Sequence, residues 1–348
     1  MAAPAVVVLL AASACGSVED DTASTTSTPT SVVAPSTTAP TTSTSAAPPP
    51  APPALEIAWQ PVDVGAVAPP ARSGAVLVAS TDGDLWLHGG HVDDVPLGDL
   101  WRFDGEQWAE VTTDPGPTPR SEHAAVWDDE RDRLVIALGQ GGTTEVFDDV
   151  WAFDPATSAW SQLTAGGPAA RYGSCTVLDD DGRMIISHGF SSIERFGDTW
   201  ALDLATASWS DITPTEGPRP SNRCLHACGF DPDTDEIILF GGRNDDQPYL
   251  GDTWRLGADG WREIPGDGPS PRARSRGAFS GELLVLGGNG PDGLTGDAWI
   301  QRDESWLPAP SGAATQRIAP AVATVDGVVW VFGGLSDTVP LADLWRSS

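Results

Sequence analysis

Apolar residues in this chain come in short runs that stop at glycine. They are Leu85-Trp-Leu-His-Gly-Gly90, Leu134-Val-Ile-Ala-Leu-Gly139, Met184-Ile-Ile-Ser-His-Gly189, Ile237-Ile-Leu-Phe-Gly-Gly242, Leu283-Leu-Val-Leu-Gly-Gly288 and Val328-Val-Trp-Val-Phe-Gly-Gly334. Runs this short and this rich in Val, Ile and Leu predict buried strands rather than helices. Each is preceded by a strand opened by arginine and a turn of Asp, Gly, Pro and Glu. Each is followed by a variable loop, an Asp-x-Trp strand and, in five cases, a fourth strand with a second tryptophan: Trp108, Trp160, Trp209, Trp261 and Trp306. The Asp-x-Trp tryptophans are Trp101, Trp151, Trp200, Trp254, Trp299 and Trp345, with steps of 50, 49, 54, 45 and 46. A repeat of that length predicts an all-β propeller of six blades. The sixth repeat lacks its fourth strand, and Leu55-Glu-Ile-Ala-Trp59-Gln-Pro61 precedes the first arginine as Trp108 precedes Arg120. This N-terminal strand is expected to complete the last blade, which closes the ring and removes its open sheet edges.

The paired glycines, Asp-x-Trp and spaced second tryptophan resemble kelch repeats over residues 55–348. The resemblance implies a six-bladed kelch-type β-propeller with tryptophans wedged between blades. The second and third repeats depart from it, with Gly139-Gln140 and Gly189-Phe190 where a glycine pair is expected. The fold also resembles the central domain of galactose oxidase, without its copper site. That chemistry needs tyrosine and histidine ligands and a tyrosine–cysteine crosslink, whereas the two tyrosines, Tyr172 and Tyr249, fall in different repeats. No cofactor and no metal are expected.

Residues 1–15 read as an export signal, with an apolar stretch too short for a permanent membrane helix. A small residue followed by Cys15 resembles the lipobox of bacterial lipoproteins and implies lipidation there. Ala12 and the lack of a preceding Lys or Arg depart from that pattern, and secretion after Ala14 or no export are the alternatives. Residues 16–54 are Ser, Thr, Ala and Pro-rich and predict a disordered linker or tether.

The net charge of −30, with 49 acids against 19 arginines and no lysine, excludes nucleic acid as a partner and an anionic membrane surface as a direct one. Only a lipid anchor would bring the chain to a membrane; the protein is expected to be a monomer, lipid-anchored on the outer face of the membrane or secreted. Cys175 is expected near Cys224 and Cys228 on the next repeat, and a disulfide with either is open.

Catalytic patterns are weak. Gly288-Asn-Gly290-Pro-Asp-Gly293 follows a strand but opens no helix, so it is no dinucleotide site. His88 and His188 fall in the same slot before glycine, and His123 and His226 three residues after the opening arginine, as structural histidines would. Asp231-Pro-Asp233-Thr-Asp235 reads as turn chemistry rather than a calcium loop. The constellation that stands out is one arginine per repeat: Arg72, Arg120, Arg171, Arg223, Arg274 and Arg317. Opening the innermost strands, they are expected around one channel mouth, either paired internally or facing a carboxylate ligand. Kelch propellers that bind acidic peptides use such arginines and the loop after the glycine pair, which makes Asn222, Arg243 and Asn244 further candidates. The expected function is a non-catalytic module at the cell envelope, binding a protein or an acidic or carbohydrate ligand at the mouth. A carbohydrate-active enzyme resembling sialic acid mutarotases, with Glu122 or His123 as acid or base, and a purely structural envelope component are the alternatives.

Overall fold

The computed structural model describes residues 57–113 and 115–348. The export signal, Cys15 and the linker at 16–54 lie outside the described residues. Six antiparallel four-stranded sheets form the blades. The inner strands are Val76–Ala79, Ala124–Asp128, Cys175–Leu178, Ala227–Asp231, Arg276–Phe279 and Ala321–Val325, and each neighbours the next around a closed ring. In the first five blades the four strands follow one another in sequence. The sixth combines Ala321–Val325, Val328–Phe332 and Leu344–Ser347 with Trp59–Val62, whose register sets Trp59 against Ser347 and Val62 against Leu344. The ring is thus closed by the N-terminal strand, as the repeat arithmetic predicts.

Burial explains the sequence pattern. The second strand of each blade is covered by neighbouring blades on both faces, so Leu85–His88 and Leu283–Leu286 are buried at every position. A strand covered twice reads as a continuous apolar run. Inner strands have one face toward the channel and alternate instead, as Cys175–Leu178 does. The second tryptophans wedge against the preceding blade: Trp108 on Phe332, Trp160 on His88, Trp261 on His188 and Trp306 on Phe240.

Blades also join through backbone. The second glycine of each pair donates its N–H to the carbonyl of the next blade's opening arginine, as Gly90 does to Arg120 and Gly334 to Arg72, at 2.9 and 2.8 Å. A Cβ on Gly89 would come within 2.4 Å of the Arg120 carbonyl, so the pair exists to admit this contact. The structure revises the register of the two departures. Gly139 and Gly189 are the second members, donating to Arg171 and Arg223, and Leu138 and His188 hold the first place at φ 62°. His188 therefore does not share the slot of His88, because a positive-φ position normally left to glycine carries an imidazole instead.

Cys175 and Cys228 form a disulfide across the third and fourth inner strands, with Cα atoms 5.8 Å apart, and Cys224 is a buried free thiol. The bridge closes a sequence separation of 53, which in the chain-entropy account stabilises by about 4 kcal/mol. A Cys175→Ser and Cys228→Ser double variant is expected to lose about 2–4 kcal/mol in urea titration. An unchanged midpoint would show that the bridge contributes nothing.

Candidate functional site

The arginine that opens each inner strand points into its own blade. Arg72, Arg120, Arg171, Arg223, Arg272 and Arg317 are fully buried. Each makes a two-pronged ion pair with the aspartate of its blade's Asp-x-Trp, namely Asp99, Asp149, Asp198, Asp252, Asp297 and Asp343, with Nη1–Oδ1 distances from 2.5 to 3.1 Å. The same Nη1 donates to the carbonyl at the first glycine place, for example Gly89 at 2.9 Å and Gly241 at 3.0 Å. The second aspartate oxygen accepts the indole N–H of the tryptophan two residues on, at 2.5–2.8 Å. Arginine, glycine pair and Asp-x-Trp are therefore one device that ties three strands together at their mouth ends. Burial opposes ionisation of these aspartates, but the arginine hydrogen bonds and charge outweigh it and hold all six carboxyls below their ordinary value.

This corrects the ring drawn from sequence. Arg72, Arg120, Arg171, Arg223 and Arg317 are locks, unavailable to a ligand because both prongs are spent. Arg274 is not a sixth member, since Arg272 holds that register. Two residues past each lock, Gly74, Glu122, Gly173, Leu225, Arg274 and Ala319 form a throat. Each donates its backbone N–H to the carbonyl of the preceding one around the ring, at 2.8–3.0 Å. All six adopt positive φ, from 49° to 64°. Four are not glycine, and each such residue carries about 1–2 kcal/mol of strain.

Above the throat lies a cavity of about 410 Å³ lined by Glu122, Tyr172, Phe190, Arg195, Arg243 and Arg274, with His91 and Cys224 beside them. Arg195 stacks over Phe190 at 4.6 Å and pairs with Asp245. Glu122 is buried and pairs with Arg276 across the channel at 2.6 Å. Burial raises its pKa, but the charges of Arg276 and Arg274 prevail and leave it below the ordinary value. Burial pushes the Cys224 thiol up, which keeps it neutral and a poor nucleophile. Among the described residues, the arginines that make no ion pair are Arg219, Arg243, Arg274 and Arg346. Two of these four line this one cup. In a chain with 49 acids, two unpaired cations in one cup, with Asp94 also in its lining, are a local exception to the negative charge of the whole.

The other candidates take lesser places. Asn222 donates to the Arg195 carbonyl at 2.9 Å and so props the cup wall. Asn244 accepts from the amides of Asp246 and Gln247 and shapes its own turn. His123 is sealed against His88, with ring nitrogens 3.0 Å apart. The sequence reading missed Tyr172, Arg195, Arg276 and His91. The first was noted only as a rare tyrosine, although it directly follows a lock arginine.

The description "KLHDC2/KLHL20/DRC7 Kelch-repeats domain" matches residues 55–229. The chain belongs to this kelch-repeat family. The kelch propeller is 26% identical over 300 residues to the multiple epidermal growth factor-like domains protein 8 of Rattus norvegicus, a match covering 76% of this chain and 10% of that protein. It is 28% identical over 190 residues to the leucine-zipper-like transcriptional regulator 1 homolog of Drosophila melanogaster, covering 50% and 19%. A third relative is the dynein regulatory complex subunit 7 of Chlamydomonas reinhardtii, 31% identical over 81 residues, covering 22% and 7%. The chain thus spans less than a fifth of each relative's length. Kelch propellers as a class bind proteins.

Proposed function

We propose that this kelch propeller is a non-catalytic binding module whose arginine cup captures a carboxylate-bearing segment of a partner protein. The observation that carries the reading is the pair Arg243 and Arg274, which face the cup without a carboxylate partner. Phe190 and Tyr172 add an apolar wall for the groups flanking the anion. Both residues considered for acid–base work are engaged, Glu122 with Arg276 and His123 with His88, and this favours binding over turnover. Display outside the cytoplasm on a tether anchored through Cys15 belongs to the same proposal. The Cys175–Cys228 bridge supports an oxidising compartment.

The test is fluorescence anisotropy of the full chain with labelled peptides rich in Asp and Glu, and with lysine-rich and uronic-acid probes as comparators. An acidic peptide is expected to bind, more weakly as salt rises. Arg243→Ala with Arg274→Ala is expected to weaken it by about tenfold or more. If acidic peptides bind no better than lysine-rich ones, the cup is not an anion site.

A further inference from the structure

A second cavity, of about 500 Å³, opens between the third and fourth blades on the hairpin-turn side, the end opposite the cup. Its floor and one wall are apolar: Ile185, Phe230, Ile237 and Leu256 below, Ile212 on the wall. Its rim is acidic, with Glu216, Asp235 and Asp259 exposed. The one cation there, Arg183, is engaged with Asp179 at 2.8 Å and Asp181 at 3.3 Å.

Repeat equivalence shows what is missing from this groove. Between the first and second blades the same positions hold Trp86, Val111, Trp127 and Phe153. Trp86 stacks on Trp127 at 5.8 Å and packs on Phe153 at 5.5 Å. Between the third and fourth blades Ile185 stands for Trp86, Phe230 for Trp127 and Leu256 for Phe153. The backbone frame repeats, so smaller side chains leave volume: the cavity between the first and second blades is about 370 Å³. Close packing makes an unfilled apolar recess unfavourable in water. Ile212, on the groove wall, is among the few large apolar side chains left exposed.

We propose that this groove docks a protein segment presenting one large apolar side chain, of about indole size, flanked by lysine or arginine. The apolar anchor occupies the space that Trp86 and Trp127 fill at the junction of the first and second blades, and the flanking cations meet Glu216, Asp235 and Asp259. This surface is separate from the cup and opposite to it in charge preference, so the propeller holds two partners, or two parts of one, at its two ends.

The probe is the peptide Arg-Arg-Leu-Trp-Leu-Arg-Arg, titrated into the full chain with isotope-labelled isoleucine methyls. Shifts are expected at Ile185, Ile212 and Ile237, and the alanine analogue of its tryptophan is expected to bind about tenfold more weakly or worse. Asp235→Arg with Asp259→Arg is expected to weaken binding by about tenfold. Reversal of two remote acids, Asp82→Arg with Asp326→Arg, is expected to leave it within about twofold. Ile185→Trp, which restores the first-blade residue, is expected to fill the groove and abolish the shifts. The proposal is overturned by an absence of binding, by equal losses from local and remote reversals, which would reveal general attraction to a polyanion, or by methyl shifts away from the groove. The charge-reversal pair lies on exposed residues and keeps the test valid if Ile185→Trp does not fold.

Discussion

Replacing Asp149 with alanine is expected to destabilise the propeller by about 3–5 kcal/mol, more than replacing its partner Arg120 with methionine. The asymmetry follows from exposure. The Arg120 side chain is fully buried, whereas that of Asp149 is 20% exposed. Removing the aspartate strands a guanidinium that still donates to the Leu138 and Thr118 carbonyls but has no counter-charge and no path to water. It also leaves the Trp151 indole N–H without its acceptor. Removing the arginine leaves a carboxylate that can hydrate, and methionine fills much of the vacated volume, so the loss is about 2–3 kcal/mol. A joint Arg120→Met and Asp149→Leu variant is expected to regain part of the deficit, because neither charge then remains buried alone. Total stability for a domain is about 5–15 kcal/mol, so one broken lock is a large fraction of it. Urea midpoints of the three variants decide the matter. A loss below about 1 kcal/mol for Asp149→Ala would mean that the lock is replaceable by water.

The same lock explains what was legible in the sequence. The fold could be read because each blade repeats three motifs at fixed offsets, and each offset reflects one physical tie. The identity of the fifth arginine was lost because Arg272-Ala-Arg274-Ser-Arg276 offers three choices. The decisive measure is the spacing to the Asp-x-Trp aspartate, which is 27, 29, 27, 29 and 26 in the other blades and 25 from Arg272. Arg274 falls two short of that. The cup was legible only in part: Glu122, Arg243 and Arg274 stood out as separate candidates, but Tyr172 and Arg195 did not, and nothing local joins five residues from four blades. Ring closure brings them together, and only the pairing of the remaining arginines reveals which cations are left over. The disulfide partner of Cys175 likewise depended on which of Cys224 and Cys228 lies beside it across two inner strands.

Acidification is expected to unfold the protein well before its carboxylates titrate. Four histidines, His88, His123, His188 and His226, are buried at blade junctions in two pairs, the first hydrogen-bonded at 3.0 Å and the second with rings 5.6 Å apart. Burial, reinforced by neighbouring arginines, takes His88 and His188 down to about 3. His123 and His226 are held well below the ordinary value by burial and by their histidine partners. The fold therefore keeps all four neutral while the unfolded chain protonates them below its ordinary pKa of about 6.5. Because the unfolded state binds more protons, stability is full above that value and falls as the pH drops from 6.5 toward 3. His88 and His188, at about 3, each account for a loss on the order of 2 kcal/mol between pH 7 and 5. His123 and His226 add losses of the same sign, so the total is a large fraction of a domain's stability of about 5–15 kcal/mol. The six lock aspartates have lowered pKa values too, but their contribution persists down to the ordinary carboxylate range near 4 and is lost only below it. Histidine titration thus comes first. The fold itself suggests the decisive variant: Phe240 and Phe332 occupy the His88 slot in other blades, and Ser174 and Ser275 the His123 slot. His88→Phe with His123→Ser removes one pair, and the slope of unfolding free energy against pH between 6.5 and 4.5 is expected to fall by about half. Stability that stays flat from pH 7 to 5 in the parent protein would show that the junction histidines take up protons without opening the blades.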